Sequence, residues 1–296
     1  MIDFKQITKD LKTEYFKYLN EQEYGCGYSF ANLYLWGDQR LAFVNSRAVI
    51  LATFGKDTMY HYPIGDGDIT PVVNAVILDA NERGIPLRFI GITPKNKTEL
   101  ELAFPNRFEF TFNRDSFDYV YSVDDLADLK GKKYHRKRNH LKRFETAHPN
   151  SVVVPLSDEI IGSVTQMVDE WFSSRITITH DEDFDLEKQA IYKALKDYKD
   201  LGMDGLVLME DGEVLAVTLG NRMTDSLVDV NFEKARADVD GAYTKINNAF
   251  AQYIRNKYPE VKFLNREEDM GIEGLRKAKE SYYPDHMSEK YSAKLK

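Results

Sequence analysis

The chain has 296 residues, of which 43% are hydrophobic and 30% are charged, as in folded proteins with one large or two medium domains. Its formal net charge of −8 argues against non-specific coating of nucleic acids. The single cysteine, Cys26, excludes intramolecular disulfides and thiolate metal clusters, and the six histidines show no metal-ligand spacing. We therefore expect no metal site.

The N-terminus and the apolar runs bear on location. Residues Met1–Gln6 contain no apolar signal core, and the longest apolar run, Ala48–Phe54, is only as long as a strand. A membrane span would need roughly 18 apolar residues. We expect a cytoplasmic protein without a transmembrane segment.

The first half of the chain predicts short strands and helices in a regular order. The predicted strands are 2–7, 40–44, 47–54, 58–62, 87–92, 107–112 and 118–122. The predicted helices are 8–22, 29–37, 69–83 and 95–103. Gly84, directly after the third helix, is a typical C-terminal cap.

The second half repeats this order. Its predicted strands are 151–155, 205–210, 214–221, 226–231, 261–264 and 287–293, and its helices are 158–174, 186–200, 241–258 and 272–280. Each half gives strand, helices, three strands, helix, strand, helix and strand, which is the element order of the GNAT acetyltransferase fold. We predict an α/β (α+β) protein with two tandem GNAT-like domains built on mixed sheets, 1–129 and 149–296, joined by a basic helix over 130–148. The second domain is expected to carry the active cleft.

A basic stretch lies between the two halves. Eight of the 40 basic residues occupy the fourteen positions Lys130–Arg143, without an acidic residue among them, which leaves 32 basic residues against 48 acidic ones elsewhere. A positive patch on an acidic protein indicates a site for a polyanion, such as nucleic acid or a phosphorylated cofactor. The alternative is a solvent-exposed linker helix whose charges pair with acidic neighbours.

The basic stretch favours a helix over 133–147, which Pro149 stops. The residues of a narrow apolar stripe that would dock this helix are Tyr134, Lys137, Leu141 and Phe144. The residues that we expect to contact phosphate groups are Arg136, Arg138, Lys142 and Arg143, and Asn139 is a further candidate binding residue of this helix. Arginine guanidinium groups suit this task because their fork geometry matches phosphate oxygens.

A second concentration of polar groups, 265–282, follows a predicted strand. Ligands of open α/β sheets bind beyond the carboxyl ends of strands, where this segment begins. Asn265, Arg266, Glu267 and Asp269 would stand at this end. The residues of the segment that we expect to line the site are Asn265, Glu267, Asp269, Arg276, Lys279 and Tyr282. Such a mixture of acids, bases and an amide suits a zwitterionic or amine-bearing substrate, and the alternative is a salt-bridged surface loop and helix.

The segment 231–242 leads into the helix that starts near Gly241, where GNAT enzymes hold the pyrophosphate of their cofactor. Their loop has the form Arg/Gln-x-x-Gly-x-Gly/Ala, and only Gly241-Ala242 resembles its end. Asp238 and Asp240 occupy the place of the phosphates. This pattern counts against ordinary acetyl-CoA chemistry without excluding it.

Three blocks of the sequence resemble one known family. The stretch DYVYSVDDLADLKGKKYHRKRNHLKRF, 118–144, resembles the central motif of the phosphatidylglycerol lysyltransferase C-terminal domain family. FEKA at 232–235 with GAY at 241–243, and REEDMGIEGLRKAKESY at 266–282, resemble its later blocks. The resemblance covers most of the chain and implies two tandem acetyltransferase-like domains, in agreement with the duplicated element order.

The resemblance also implies a chemistry. Characterised lipid-modifying relatives take an amino acid from aminoacyl-tRNA and pass it to phosphatidylglycerol, and the related Fem transferases use similar tandem folds on peptidoglycan precursors. This chain departs from the lipid enzymes in lacking their membrane domain and is similar to soluble, stand-alone relatives. The resemblance thus implies the tRNA acceptor end as a partner and leaves the acceptor open among small molecules, lipid headgroups and peptides.

We therefore predict an enzyme that transfers an aminoacyl group from aminoacyl-tRNA to an amine or hydroxyl, without a tightly bound cofactor. The predicted catalytic residues are Glu233, Glu267 and Asp269, and either glutamate is a candidate to accept the proton of the nucleophile. Asn231 and Lys234 join the binding residues named above. The alternatives are an N-acetyltransferase that uses acyl-CoA and a non-catalytic RNA-binding module on a degenerate GNAT fold.

Overall fold

The computed structural model describes residues 1–19, 25–174 and 182–296, which form two compact units with one mixed sheet each. The first unit comprises 1–118, 268–272 and 287–296. The second unit comprises 119–267 and 273–286. Among the described residues, no helix is both long enough and apolar enough to cross a membrane.

The first unit contains strands from both ends of the chain. They are β1 (Lys5–Gln6), β2 (Asp38–Val44), β3 (Arg47–Phe54), β4 (Asp57–His61), β5 (Ile64–Gly65), β6 (Arg88–Ile92), β7 (Phe108–Phe112) and the last strand of the chain, β15 (Tyr291–Leu295). Their order is β1-β2-β3-β4-β6-β15-β7, with β5 paired to β3. The last strand is antiparallel to both neighbours, and β4 runs parallel to β6.

Among the residues that the structure describes, four α-helices accompany this sheet: α1 (Lys12–Phe16), α2 (Phe30–Leu35), α3 (Ile69–Arg83) and α4 (Pro94–Ala103). Asp68 caps α3 by accepting a hydrogen bond from the Thr70 N–H, and the helix ends at Gly84 with a left-handed φ of 69°. Its apolar face, which includes Val72 and Val76, packs with Tyr60 and other buried side chains of the sheet into one core.

The second unit is built on a sheet of the same type. Its strands are β8 (Asp118–Ser122), β9 (Val152–Pro155), β10 (Met203–Glu210), β11 (Glu213–Arg222), β12 (Leu227–Ala235) and β13 (Phe263–Asn265), and β14 (His286–Ser288) begins at its last residue. The first six run in the order β8-β13-β12-β11-β10-β9. Only β12 and β13 are parallel among these pairs.

In the described part of this unit there are six α-helices: α5 (Val123–Asp128), α6 (His135–Ala147), α7 (Ile161–Ser173), α8 (Glu182–Leu201), α9 (Ala242–Lys257) and α10 (Glu273–Glu280). The central helix α9 packs on β10, β11 and β12, and both α5 and α6 pack against it. The buried face of α9 carries Ile246, Phe250 and Ile254. This packing sets the basic helix α6 beside the strand ends that carry the candidate site.

The predicted mixed α/β architecture and the basic helix are present, but two strands pair differently from the repeat pattern. The strand predicted to close the first half, β8, pairs with β13 in the second sheet, and β15 lies in the first sheet. The two units therefore differ from the predicted ranges 1–129, 130–148 and 149–296. The end of the predicted helix over 8–22 lies outside the described residues.

Candidate active site

The basic helix α6 docks through its predicted stripe. Tyr134 and Phe144 are fully buried, and the Tyr134 hydroxyl donates a hydrogen bond to the Tyr282 carbonyl at 3.0 Å. Gly241 at the start of α9 lies so close that a Cβ there would stand 2.9 Å from the Phe144 Cβ and 3.0 Å from the His140 carbonyl oxygen. A glycine with a φ of 85° therefore permits the close approach of the two helices.

The outward side of α6 lines an open cleft of about 620 Å³. Its lining residues are Arg136, Asn139, His140, Lys142, Arg143, Thr146 and Ala147. Three of the four residues predicted to contact phosphate, together with the binding candidate Asn139, therefore lie on one surface. Cations along an open groove suit the spaced negative charges of a polyanion.

The remaining predicted phosphate contact, Arg138, has protein partners for its guanidinium. Its Nη1 donates to the carbonyl oxygen of Gly131 at 2.7 Å and to that of Leu129. Leu129 ends α5 in the left-handed conformation, with a φ of 49°. The Arg138 side chain thus fastens the turn that leads from α5 into the basic helix.

Asp240 lies against the same cationic surface. Its carboxylate is 3.3 Å from an Arg143 guanidinium nitrogen and 3.8 Å from the His140 ring. Both partners of the arginine pair are mostly exposed, so solvent and salt screen this attraction. A phosphate would displace Asp240 from Arg143 at small cost.

The inward side of α6 carries Lys137, the one charged residue of the predicted docking stripe. The Lys137 Nζ lies 3.4 Å from the centre of the Tyr282 ring. The Arg266 guanidinium carbon lies 4.9 Å from the same ring centre. Burial, followed by the repulsion of Arg266, lowers the pKa of Lys137 to about 8 although Glu233 acts in the opposite direction.

The buried ion pair between Arg266 and Glu233 forms the centre of this cluster. The Arg266 Nη2 donates to the Glu233 Oε1 at 2.9 Å, and the Asn247 Nδ2 donates to the Glu233 Oε2 at 3.1 Å. Burial opposes the charge of Arg266, but the attraction and hydrogen bond of Glu233, together with Tyr121 and Tyr282, raise the arginine pKa. Both carboxylate oxygens of Glu233 are thus engaged.

Polar side chains also line the neighbouring strands. Asp229, Asn231 and Glu233 alternate along one face of β12, where the Asn231 Nδ2 donates to the Asp229 Oδ2 at 2.9 Å. Thr218 on β11 stands opposite Glu233 in the strand register. The Thr218 Oγ1, the Asn247 Oδ1 and the Arg266 Nη1 are buried without a hydrogen-bond partner. Buried polar atoms of this kind are suited to a ligand or to bound water.

Lys234 points away from this face. Successive side chains of a strand alternate between the two faces of the sheet, so Lys234 and Glu233 are on opposite sides. The Lys234 Nζ lies 3.7 Å from the centre of the Trp171 ring and pairs with the Glu187 carboxylate at 2.8 Å. The prediction that it binds the donor stays a prediction.

The segment after β13 forms a tight polar turn. The Asn265 Oδ1 accepts a hydrogen bond from the Glu267 N–H at 2.7 Å, and Glu267 has a φ of 58°. The buried Lys279 of α10 donates to the Arg266 carbonyl at 2.6 Å. Because these bonds hold the backbone at Arg266, Asn265 and Lys279 support the cluster. Arg276, another predicted site residue, lies on the same helix α10.

Asp269 belongs to the first unit. It is buried, with one oxygen 3.3 Å from Arg114 and the other accepting from the Gly271 N–H at 2.9 Å. Its predicted catalytic role is not tested by this placement.

A separate polar cluster also belongs to the first unit. Cys26, Asp118 and Glu268 each present a ligand-type atom within 4.8 Å of the others. The Lys290 ammonium lies 2.7 Å from Asp118 and 2.8 Å from Glu268 and thus supplies a positive charge to this group.

Three central residues of the cluster were absent from the predicted site: Lys137, Arg266 and Asn247. A lysine inside an otherwise apolar docking stripe was the available signal for Lys137. Arg266 lay in the polar segment that was singled out, beside the residues chosen. Asn247 is a polar residue on the buried face of α9, between Ile246 and Phe250.

The chain is similar to known proteins over most of its length. The family model described as "Phosphatidylglycerol lysyltransferase, C-terminal" matches residues 20–294. A conserved protein of unknown function from Bacteroides thetaiotaomicron is 35% identical, with a TM-score of 0.93 and 100% of both chains covered. The C-terminal domain of a putative lysylphosphatidylglycerol synthetase from Agrobacterium fabrum is 16% identical, with a TM-score of 0.71, over 97% of this chain and 91% of its own.

A third structure identifies the architecture. A tandem GNAT protein from the clavulanic acid biosynthesis pathway is 8% identical, with a TM-score of 0.52, over 99% of this chain and 98% of its own. The prediction of a tandem GNAT-like fold is therefore confirmed. A search of curated proteins finds no match to the chain.

Proposed function

Because the chain belongs to the phosphatidylglycerol lysyltransferase C-terminal family, we propose that it moves an aminoacyl group from aminoacyl-tRNA to an amine or hydroxyl acceptor. Related proteins of this family are transferases, which supports an enzyme of the aminoacyl- or acyltransferase class. Aminoacyl-tRNA is made in the cytoplasm, so we propose the same location for the reaction. A lipid headgroup, a peptide and a small molecule are the acceptor classes that the proposal admits.

The two sides of α6 carry this proposal. The outward side lines the cationic cleft, and Lys137 on the inward side lies with Arg266 against the Tyr282 ring. One helix of about 20 Å thus borders both a surface suited to phosphates and a buried polar cluster suited to acyl transfer. A donor that carries its reactive ester at the end of a phosphate backbone matches this combination.

Within the cluster, the Arg266 guanidinium nitrogen without a hydrogen-bond partner is suited to a direct role in acyl transfer. Acyl transfer from an ester passes through a tetrahedral oxyanion, which fixed hydrogen-bond donors stabilise. The Arg266 Nη1 is buried and has no partner, whereas its Nη2 is held by Glu233. We assign the oxyanion to Nη1 and assign Glu233 the role of fixing the guanidinium. The Asn247 Oδ1 and the neighbouring Asn231 are suited to the amino group of the transferred residue.

A transfer assay with charged tRNA tests the proposal. Total tRNA charged with radiolabelled amino acids would be incubated with phosphatidylglycerol vesicles, a lysine-containing peptide and ethanolamine, and label in each acceptor would be counted. Label that enters an acceptor only with the protein present supports the function. If no acceptor is labelled and coenzyme A raises the melting temperature of the protein, the alternative of an acyl-CoA-dependent N-acetyltransferase would be favoured over the proposed function. Salt-sensitive tRNA binding without transfer would favour the RNA-binding module.

The donor surface has its own test. Reversing two charges in Arg136→Glu/Arg143→Glu is expected to weaken tRNA retention on filters at least tenfold, because both guanidinium groups line the cleft. The matched control is Lys196→Glu/Lys262→Glu, which changes the net charge equally at two exposed lysines outside α6. Equal binding by both double variants would contradict the assignment of tRNA phosphates to the cleft.

A further inference from the structure

We propose that Lys137 is the proton carrier of the transfer reaction: it takes the proton of the attacking amine or hydroxyl and gives it to the departing oxygen of the donor ester. This inference rests on the proposed function and goes beyond it, because neither the family match nor the predicted site includes Lys137.

Lys137 is a cation without a counterion. Within the described parts of the chain, its ammonium makes no ion pair and no hydrogen bond, and its contact is the Tyr282 ring at 3.4 Å. The nearby carboxylate of Glu233 is taken by Arg266 and Asn247, one on each oxygen. A lysine in such surroundings exchanges its proton more readily than one held by a carboxylate.

The groups that face Lys137 come from three elements. Arg266 follows β13, Glu233 lies on β12 and Tyr282 follows α10. Burial and the Arg266 charge lower the Lys137 pKa to about 8, so a substantial fraction is neutral at slightly alkaline pH. A proton carrier works best when its pKa lies near the working pH.

Glu233 is a weaker candidate for the same task. Its two carboxylate oxygens already accept hydrogen bonds, one from Asn247 and one from Arg266, so neither can reach a substrate without losing a partner. Its geometry fits a positioning role. Lys137 has a lone pair available in its neutral form and needs no partner to leave.

The step balances without a co-reactant. The acceptor nitrogen or oxygen forms a bond to the carbonyl carbon while its proton moves to the neutral Lys137 amine. The tetrahedral intermediate then collapses, the bond from carbon to the ribose oxygen breaks, and the Lys137 ammonium protonates that oxygen. Lys137 returns to its neutral form, and the products are the aminoacylated acceptor and free tRNA.

Two variants distinguish proton transfer by Lys137 from a purely electrostatic effect of its positive charge. Lys137→Arg keeps a cation against the Tyr282 ring but does not release a proton, and Lys137→Met removes the charge while keeping an unbranched side chain. Both are expected to lower kcat at least 100-fold with tRNA binding unchanged, as loss of a general base does. The control is Lys257→Arg, because Lys257 also contacts tyrosine rings but is paired with Asp204.

The pH profile supplies the decisive readout. With charged total tRNA as donor and ethanolamine and glycerol as probe acceptors, kcat/KM toward glycerol is expected to rise through about pH 8 in the wild type and in Lys257→Arg. This rise should be absent from the residual activity of Lys137→Arg. Wild-type activity and profile in Lys137→Arg would overturn the inference while leaving the proposed function intact.

A second readout does not need activity. Competitive labelling of the complete protein with acetic anhydride across pH, read by mass spectrometry, reports when each amine loses its proton. Lys137 is expected to become reactive near pH 8, whereas Lys257, whose pKa Asp204 raises against burial, should react only at much higher pH. Simultaneous titration of both would overturn the inference, and absence of wild-type transfer would overturn it together with the proposed function.

Discussion

The pair of Arg266 and Glu233 is almost buried, with side chains only 13% and 9% exposed. At such sites the cost of removing water from a charge is large, and the partner charge must compensate for it. Here Asn247 supplies a further hydrogen bond to the carboxylate. The cluster is therefore stable only while both charges are present.

Removal of one charge should expose this dependence. Glu233→Gln leaves the Arg266 guanidinium buried without its counterion and is expected to lower the free energy of unfolding by about 3–5 kcal/mol. The control is Glu273→Gln, which breaks a pair with Lys277 whose side chains are 80% and 71% exposed and should cost less than about 0.5 kcal/mol. Urea unfolding measures both. Equal stability of the two variants would mean that Arg266 finds other compensation.

The buried His61 of the first unit should make the free energy of unfolding fall in acid. Both ring nitrogens are buried without a partner, and burial, aided by the charge of Lys290, lowers the pKa to about 4. Between pH 4 and about 6.5 the unfolded chain binds the proton and the folded chain does not, so stability falls as the pH falls through this window. The loss should reach about 3 kcal/mol at pH 4.

Substitution of the ring isolates this effect. His61→Phe keeps an aromatic ring beside Tyr28 and is expected to reduce the slope of unfolding free energy between pH 6.5 and 4. The matched control is His135→Gln, at an exposed position of α6, which leaves the surroundings of His61 intact. Chemical unfolding at several pH values measures both. An unchanged slope in His61→Phe would show that the histidine is protonated in the folded protein.

At the scale of single elements, the ends of a helix or strand follow most closely from the sequence where the residues that set them are local. The helix predicted over 69–83 has these same ends in the structure, because Asp68 caps its start and Gly84 its end. The short helix α5 was not predicted, since its six residues are too few for an apolar period to show. The Asp118–Ser122 strand was predicted with its observed ends.

The contact between α6 and α9 gives a prediction for a single glycine. Gly241→Ala places a Cβ 2.9 Å from that of Phe144 in a residue with a φ of 85°. The left-handed conformation alone costs about 1–2 kcal/mol, and the overlap should cost at least about 1 kcal/mol more. Because α6 must shift, tRNA retention should also weaken.

Gly212 provides the matched control for that substitution. Its φ is 87°, and a Cβ there would meet nothing within 4 Å. Gly212→Ala should therefore show the conformational cost alone and leave tRNA retention unchanged. Thermal unfolding and filter retention compare the two variants. Identical losses in both would show that the close approach of α6 and α9 adds no constraint.

At the scale of the whole molecule, the repeat of element order is visible in sequence, but the pairing of strands is not. Alternating apolar residues indicate that a segment is extended, whereas the hydrogen bonds that choose its neighbour are made by backbone atoms common to all residues. The sequence therefore predicted the strands near 118–122 and 287–293 without their partners. The same limit applies to the site, since Lys137 and Arg266 meet only after α6 has docked.

Because β8 lies in the second sheet and β15 in the first, we predict that the chain cannot be divided into two folded halves at its basic helix. A fragment of residues 1–129 lacks β15, which pairs with both β6 and β7, and a fragment of 149–296 lacks β8, the partner of β13. Without β15, β6 and β7 lose their shared neighbour, and the core residue Ala293 is absent. We expect each fragment alone to show little protection of its amides in hydrogen exchange. When the two fragments are expressed together, with residues 130–148 retained on one of them, the protection should be recovered. A fragment 1–129 with full protection would mean that the first sheet closes without the last strand.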